Sequence, residues 1–216
     1  MVMLQSIKVG RKIDSLWLWR NLSFSLVEGT RLGLIGASGT GKSLLLRAIA
    51  GLDPLQEGDI KYQDRSLSSW NLPMYRSQVI YLHQQPVMFE GTVEANLKAV
   101  YQLSVHRHHH YDGHKIISLL DLFNRPWEFL QKQATSLSGG ESQITALIRG
   151  LQLEPMVLLL DECTASLDPT TKSQVESAIA TWLEQDSRRA CIWTSHDSQQ
   201  IQRVTNEQLL LSKYTG

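Results

Sequence analysis

An α/β fold built on a mostly parallel sheet is predicted by three observations on the 216-residue sequence. Short apolar runs at Arg31 to Ile35, Gln78 to His83, Met156 to Leu160 and Ala190 to Thr194 alternate with segments of helical periodicity. The first run leads directly into the glycine-rich stretch Gly36-Ala37-Ser38-Gly39-Thr40-Gly41-Lys42-Ser43. The third ends on the acidic pair Asp161-Glu162, and its unbroken apolar character suits a strand covered on both faces.

Leu4 to Val9 alternates weakly, as an edge strand does, and Leu22 to Val27 alternates well before the Glu28-Gly29 turn. The helix beginning at Lys42 is predicted to end near Ala50-Gly51, where glycine accepts the left-handed conformation, and Pro54 blocks continuation. Asp59 to Tyr62 reads as a short strand, and a polar turn leads from it to Gln78 to His83. From Gln84 the pattern turns helical. Val93, Leu97, Val100 and Tyr101 share a face of Thr92 to Leu103, and Ile116 to Phe123 is amphipathic. Gly139-Gly140 opens a helix with Ile144, Leu147, Ile148 and Leu151 on one side. Thr170 to Leu183 turns Val175, Ile179, Trp182 and Leu183 inward, and a strand over Gln208 to Leu211 closes the pattern. Residues 86–153 therefore read as a helical lobe inserted into a core formed by 1–85 and 154–216, the whole being one domain.

Lys plus Arg and Asp plus Glu both number 21, so the formal charge is zero and a nucleic-acid-coating surface is not expected. Met1 to Gly10 lacks a charged segment followed by a long apolar one, and no apolar run approaches the ~18 residues of a bilayer span. The chain is expected in the cytoplasm, with any membrane role exercised through a partner. Cys163 and Cys191 lie in or beside predicted buried strands, where a thiol acts as a small hydrophobe, and no disulfide is expected.

Residues 36–43 have the form G-x-x-x-x-G-K-[ST]. The glycines permit positive φ and close approach of backbone N–H groups to a triphosphate. Lys42 would neutralise the β- and γ-phosphates, and the Ser43 hydroxyl would ligate Mg²⁺. Asp161 ends a buried strand in the crevice where parallel sheets bind ligands, beside the phosphate loop if the two strands are neighbours. It would hold the metal through water, and Glu162 would act as general base toward the attacking water. Standing alone, the acidic pair reads as a helix N-cap, and so does Ser138.

Together with these elements, Leu137-Ser138-Gly139-Gly140-Glu141 makes the sequence resemble the ATP-binding cassette (ABC) ATPases over essentially its whole length. The resemblance implies a P-loop NTPase fold with a RecA-like core sheet, an N-terminal antiparallel β region and an inserted helical subdomain. It implies ATP and Mg²⁺ as cofactors, with Gly36 to Leu44 around the nucleotide. It further implies that Ser138, Gly139 and Gly140 cap the γ-phosphate bound by a second copy, so that ATP is sandwiched in a head-to-tail homodimer. Gln84 matches the Q-loop glutamine that senses Mg²⁺ and the attacking water, with Gln85 as the competing candidate. Asp168 matches the D-loop at the dimer seam, or is a plain N-cap, and His196 matches the switch histidine at the γ-phosphate.

Some positions depart from that pattern. Ile13 stands where the family usually places an aromatic that stacks on adenine, and the nearby Trp17 and Trp19 read as packing residues. Leu44 replaces a second hydroxyl residue, Glu141 replaces glutamine, and Ser142 and Ile144 replace common basic residues. His106, His110 and His114 would share one face, at a spacing able to hold a transition metal, if a helix ran through them. Asp112-Gly113 interrupts that register and favours a solvated loop.

The resemblance implies an ATP-hydrolysing subunit that powers a separate integral membrane permease from the inner face of the cell membrane. Residues 75–79, 84–93 and 147–152 look most like ATPase subunits of the FetAB type, associated with iron export, and their plant aluminium-tolerance relatives. The alternative is a soluble ABC ATPase of the DNA-repair or translation type. Such proteins usually carry long coiled-coil or zinc insertions, or tandem cassettes, and this sequence has neither. A small-molecule kinase would leave Leu137 to Glu141 unexplained.

Overall fold

A computed structural model of the chain describes residues 1–214. Its parallel sheet holds five strands: β3 (Arg31–Ile35), β6 (Val79–Leu82), β7 (Val157–Asp161), β8 (Ala190–Thr194) and β9 (Glu207–Leu210). Their order is β6-β7-β8-β3-β9, and every pairing is parallel. A second, antiparallel sheet has the order β2-β1-β4-β5, from β1 (Val2–Ile13), β2 (Leu16–Val27), β4 (Glu57–Tyr62) and β5 (Arg65–Ser66).

Period-two alternation along β7 and β8 divides the core. Val157, Leu159, Ala190 and Ile192 face α1 (Lys42–Ile49) and the antiparallel sheet, joining Trp19, Leu22, Leu45 and Ile49 in one apolar cluster. Leu158, Leu160, Cys191 and Trp193 face the other way, toward α3 (Val93–Lys98), α4 (Gly113–Leu122), α5 (Gly139–Leu151) and α6 (Pro169–Glu184). A strand buried on both sides has no use for alternating polarity, which explains its continuous apolar run. Burial pushes both cysteine thiols up to about 12, so they remain protonated packing groups.

Several expectations need correcting. β1 and β2 each run to 12 residues, joined by a tight turn with Asp14 at φ 54°. The polar stretch before β6 contains α2 (Leu72–Gln78), capped by the Asn71 side chain and anchored by a Tyr75 hydroxyl bond to the Ile49 carbonyl at 2.5 Å. A further helix, α7 (Ser198–Val204), starts where Asp197 accepts from the Gln200 N–H. The helix expected over Thr92 to Leu103 is α-helical only to Lys98 and continues as a 3-10 turn to Gln102. The loop favoured between His106 and His114 is present, since a 3-10 turn ends at His106 and α4 begins at Gly113, but His106 itself is buried and not solvated.

The start of α5 is built by a reciprocal cap. Ser138 Oγ accepts from the Glu141 N–H at 3.2 Å, and Glu141 Oε2 accepts from the Ser138 N–H at 3.0 Å. Glu141 Oε1 takes a third bond, from Lys132 Nζ at 2.6 Å. Burial opposes the Glu141 charge, yet the bonds from Lys132 and from the Ser138 backbone hold its carboxyl below the ordinary value of 4.5. A carboxyl depressed on folding contributes stability that is present above its unfolded pKa and lost as pH falls through the depressed value. Glu141→Gln keeps an acceptor for the Ser138 N–H but loses the ion pair, and should cost roughly 0.5–1 kcal/mol at pH 7. The difference should close at acid pH, once the pH has fallen through the depressed value. Urea unfolding at both pH values checks this, and an equal loss at both would exclude the ion pair as its cause.

Candidate active site

The phosphate-loop geometry follows from the turn between β3 and α1. Gly39 and Gly41 take φ 80° and 87°, where L side chains are strained. A Cβ at Gly39 would meet nothing within 4 Å, whereas one at Gly41 would strike Leu18 and the Trp19 indole. The loop thus presents an open face to solvent and a closed face to the antiparallel sheet. No side chain caps α1, so the N–H groups of its first turn remain available to an anion. Lys42, buried against the loop, donates to the Gly36 and Ala37 carbonyls at 2.8 and 3.1 Å. Thr40 Oγ1 closes the turn on the Ala37 carbonyl at 2.8 Å.

Asp161 sits at the end of β7 with 3% of its surface exposed, and three hydroxyls converge on it. Ser43 Oγ donates to Oδ1 at 3.0 Å, Thr194 Oγ1 lies 3.0 Å from the same oxygen, and the Tyr81 hydroxyl donates to Oδ2 at 2.7 Å. The condition under which Asp161 is expected beside the phosphate loop, that β7 and β3 be neighbours, is not met: β8 lies between them. The carboxylate reaches Ser43 because α1 leaves β3 and packs on the sheet face against β7, with its first turn at the end of that strand. Burial and the bond to Asp161 push the Tyr81 phenol above its usual range.

Glu162 adopts φ 49°, a left-handed conformation uncommon for a side chain of this size. Its N–H is held by Thr194 Oγ1 at 3.0 Å, and its Oε1 lies 2.8 Å from His196 Nε2. The loops bearing Glu162 and His196 are also linked from beneath. Gln200 is fully buried and bonds Thr164 in one loop and Ser195 in the other, at 2.7–3.0 Å. It donates as well to Glu176, which Arg203 grips with two bonds.

The remaining expected residues lie apart from this cluster. Gln84 is exposed in the bend after β6. Ser138, Gly139 and Gly140 begin α5, where the serine is engaged in its own cap. Asp168 caps α6 through Thr171 and is thereby held below the usual carboxylate range. Beside the phosphate loop, Ile13, Leu18 and Leu44 form the apolar side of a cleft of ≈ 330 Å³ that Lys42 and Glu162 also line. Trp19 is fully buried, and Trp17 lies under Lys12 and Arg20, so both are packing residues. Reading the sequence alone missed Leu18, Tyr81, Thr194 and Gln200.

The donor set suits the expected ligands. Open glycine backbone, a lysine and uncapped helical N–H groups match a polyphosphate. Ser43 and Asp161 supply hard oxygen ligands of the kind Mg²⁺ prefers. Among the described residues no cluster of three His, Cys, Asp or Glu side chains suits a transition metal.

Known proteins show similarity of the same kind. The family model described as "ABC transporter" matches residues 19–165. The "Probable iron export ATP-binding protein FetA" of Escherichia coli (strain K12) is 35% identical over 199 residues, covering 92% of this chain and 87% of that one. Among solved structures, a dimeric ATP-binding cassette, MJ0796, in a post-hydrolysis state bound to ADP and Pi superposes with TM-score 0.82 at 21% identity. That match covers 96% of this chain and 94% of the other. An ATP-bound bacterial Atm1-family ABC exporter gives TM-score 0.80 at 23% identity over 97% of this chain, but the match spans only 36% of that protein's length. The two structures share the fold, while the family model and the Escherichia coli relative carry the assignment: this chain belongs to the ABC transporter family, as one of its ATP-hydrolysing ATP-binding members.

Proposed function

We propose that the chain is the ATP-driven motor of a membrane transporter, working from the cytoplasmic face on a separate permease, with metal export, iron included, as its role. The convergence of Ser43, Asp161, Glu162 and His196 on the mouth of the phosphate loop supports this reading most strongly. The export role is supported by likeness to the Escherichia coli iron-export relative. Among the described residues no helix is long and apolar enough to cross a membrane, so a translocation path would come from the permease.

The residues have separate tasks on this reading. Backbone N–H groups from Gly39 to Ser43 and the Lys42 ammonium hold the β- and γ-phosphates, with Lys42 exchanging its two loop carbonyls for phosphate oxygens. Ser43 and Asp161 would hold Mg²⁺, which neutralises charge on the phosphates when bound. The adenine rests on the apolar side of the cleft, on Ile13 and Leu18, in place of a stacked aromatic. Glu162 accepts the proton of the attacking water, and its left-handed backbone, tied to Thr194, fixes the carboxylate's direction. His196 orients the γ-phosphate, and its contact with Glu162 keeps the two side chains together at the mouth of the loop. Gln84, exposed ahead of the helical segment, relays the state of the site to that segment.

Ser138 and Asp168 complete the site in a second copy. Each stands at a helix start away from its own phosphate loop, so two chains packed head to tail would bring Ser138 of one to the γ-phosphate held by the other. Replacing Glu162 by Gln preserves shape and hydrogen bonding but removes the base. Turnover should fall by at least ~100-fold while ATP remains bound. Steady-state phosphate release and equilibrium nucleotide binding measure the two quantities, and undiminished release would eliminate Glu162 as the base.

A further inference from the structure

We infer that Tyr81 is a positioning residue for the divalent cation, its hydroxyl fixing the rotation of the Asp161 carboxylate so that Oδ1 stays turned toward Ser43. The inference rests on the reading of Asp161 as a metal-holding group. A carboxylate rotates about its last torsion in a broad, nearly two-fold potential, so its bond to the chain does not choose which oxygen faces the ligand. Its hydrogen-bond donors make the choice. Oδ1 is shared by Ser43 and Thr194, both at 3.0 Å, and Oδ2 takes its bond from Tyr81 at 2.7 Å.

Thr194 cannot replace Tyr81 in this role. Its oxygen already accepts the Glu162 N–H and lies on the Oδ1 side. Without the phenol, Oδ2 of a carboxylate only 3% exposed would lose its donor and could recover one only by rotating Oδ1 away from Ser43. The Tyr81 ring is itself held: it packs against the cluster around α1 and stands edge-on to His83, with centroids 5.9 Å apart. His83 Nδ1 accepts the Gln85 N–H at 2.9 Å, so the aromatic that orients the carboxylate is in contact with the bend containing Gln84.

Tyr81→Phe keeps the ring and removes only the hydroxyl. Tyr62→Phe is the matched control, because the Tyr62 hydroxyl is buried in the same apolar cluster with no hydrogen-bond partner. Two readouts are taken on the full chain as MgCl₂ is titrated: ATP hydrolysis at saturating ATP, and the Mg²⁺-dependent rise in melting temperature with a non-hydrolysable ATP analogue. The half-saturating Mg²⁺ concentration should rise about fivefold or more in Tyr81→Phe in both, the scale of one lost hydrogen bond. Added Mg²⁺ should relieve the deficit, and Tyr62→Phe should match the parent. An unchanged half-saturation, or a deficit that Mg²⁺ does not relieve, overturns the role of Tyr81. If instead the parent needs no divalent cation, or Asp161→Asn keeps its Mg²⁺ response, the reading of Asp161 fails and the inference falls with it.

Discussion

A buried carboxylate at the end of the second strand of the parallel sheet is the constraint on which the rest of the arrangement depends. Removing an ionised group from water is expensive unless donors surround it, and Asp161 has three. Those donors come from three different elements: Ser43 from the helix after the phosphate loop, Tyr81 from β6 and Thr194 from β8. Satisfying one charge therefore pins together the C-terminal ends of three adjacent strands and the first turn of the helix packed on their face. The sheet supplies the framework for this. Continuous apolar burial of β7 on both faces leaves the carboxylate only one direction in which to emerge.

Around that fixed point the site separates into a rigid part and a dependent part. The phosphate loop, Asp161, Glu162 and His196 are connected within one chain by bonds of 2.7–3.0 Å. Beneath them the buried Thr164–Gln200–Ser195 network joins the two loops that carry Glu162 and His196, and a polar network so fully satisfied resists independent movement of its members. Ser138 and Asp168 serve only as helix caps in the single chain. On the proposed reading their second task begins when another copy arrives, and the self-capped serine and the Lys132–Glu141 pair are the surface that copy meets.

Much of this arrangement was legible in the sequence, for physical reasons that differ by residue. The phosphate loop could be read because glycine and lysine at fixed spacing have few other uses, and β7 because five apolar residues ending in acid leave little else to be. Strand order could not be read, because β8 enters between β7 and β3 through pairings far apart in sequence. Tyr81 and Thr194 were missed for the same reason. In β6 a tyrosine looks like ordinary core, and only the parallel register, which sets Asp161 opposite Thr194, brings these hydroxyls to the carboxylate. The helices α2 and α7 span seven residues each, too short for periodicity to declare itself, and both are fixed by side-chain caps and tertiary contacts instead. Leu18 lies beyond the turn of a hairpin whose length the weak alternation of its first strand did not disclose.

On the proposed reading one chain holds the triphosphate and a second chain completes the enclosure. Sedimentation velocity of the full chain carrying Glu162→Gln, with and without ATP and Mg²⁺, tests it most directly. A single-chain species is expected without nucleotide and a two-chain species with it, lost again when Ser138 is also changed to a bulky residue. A chain that sediments as a monomer at saturating ATP would contradict it.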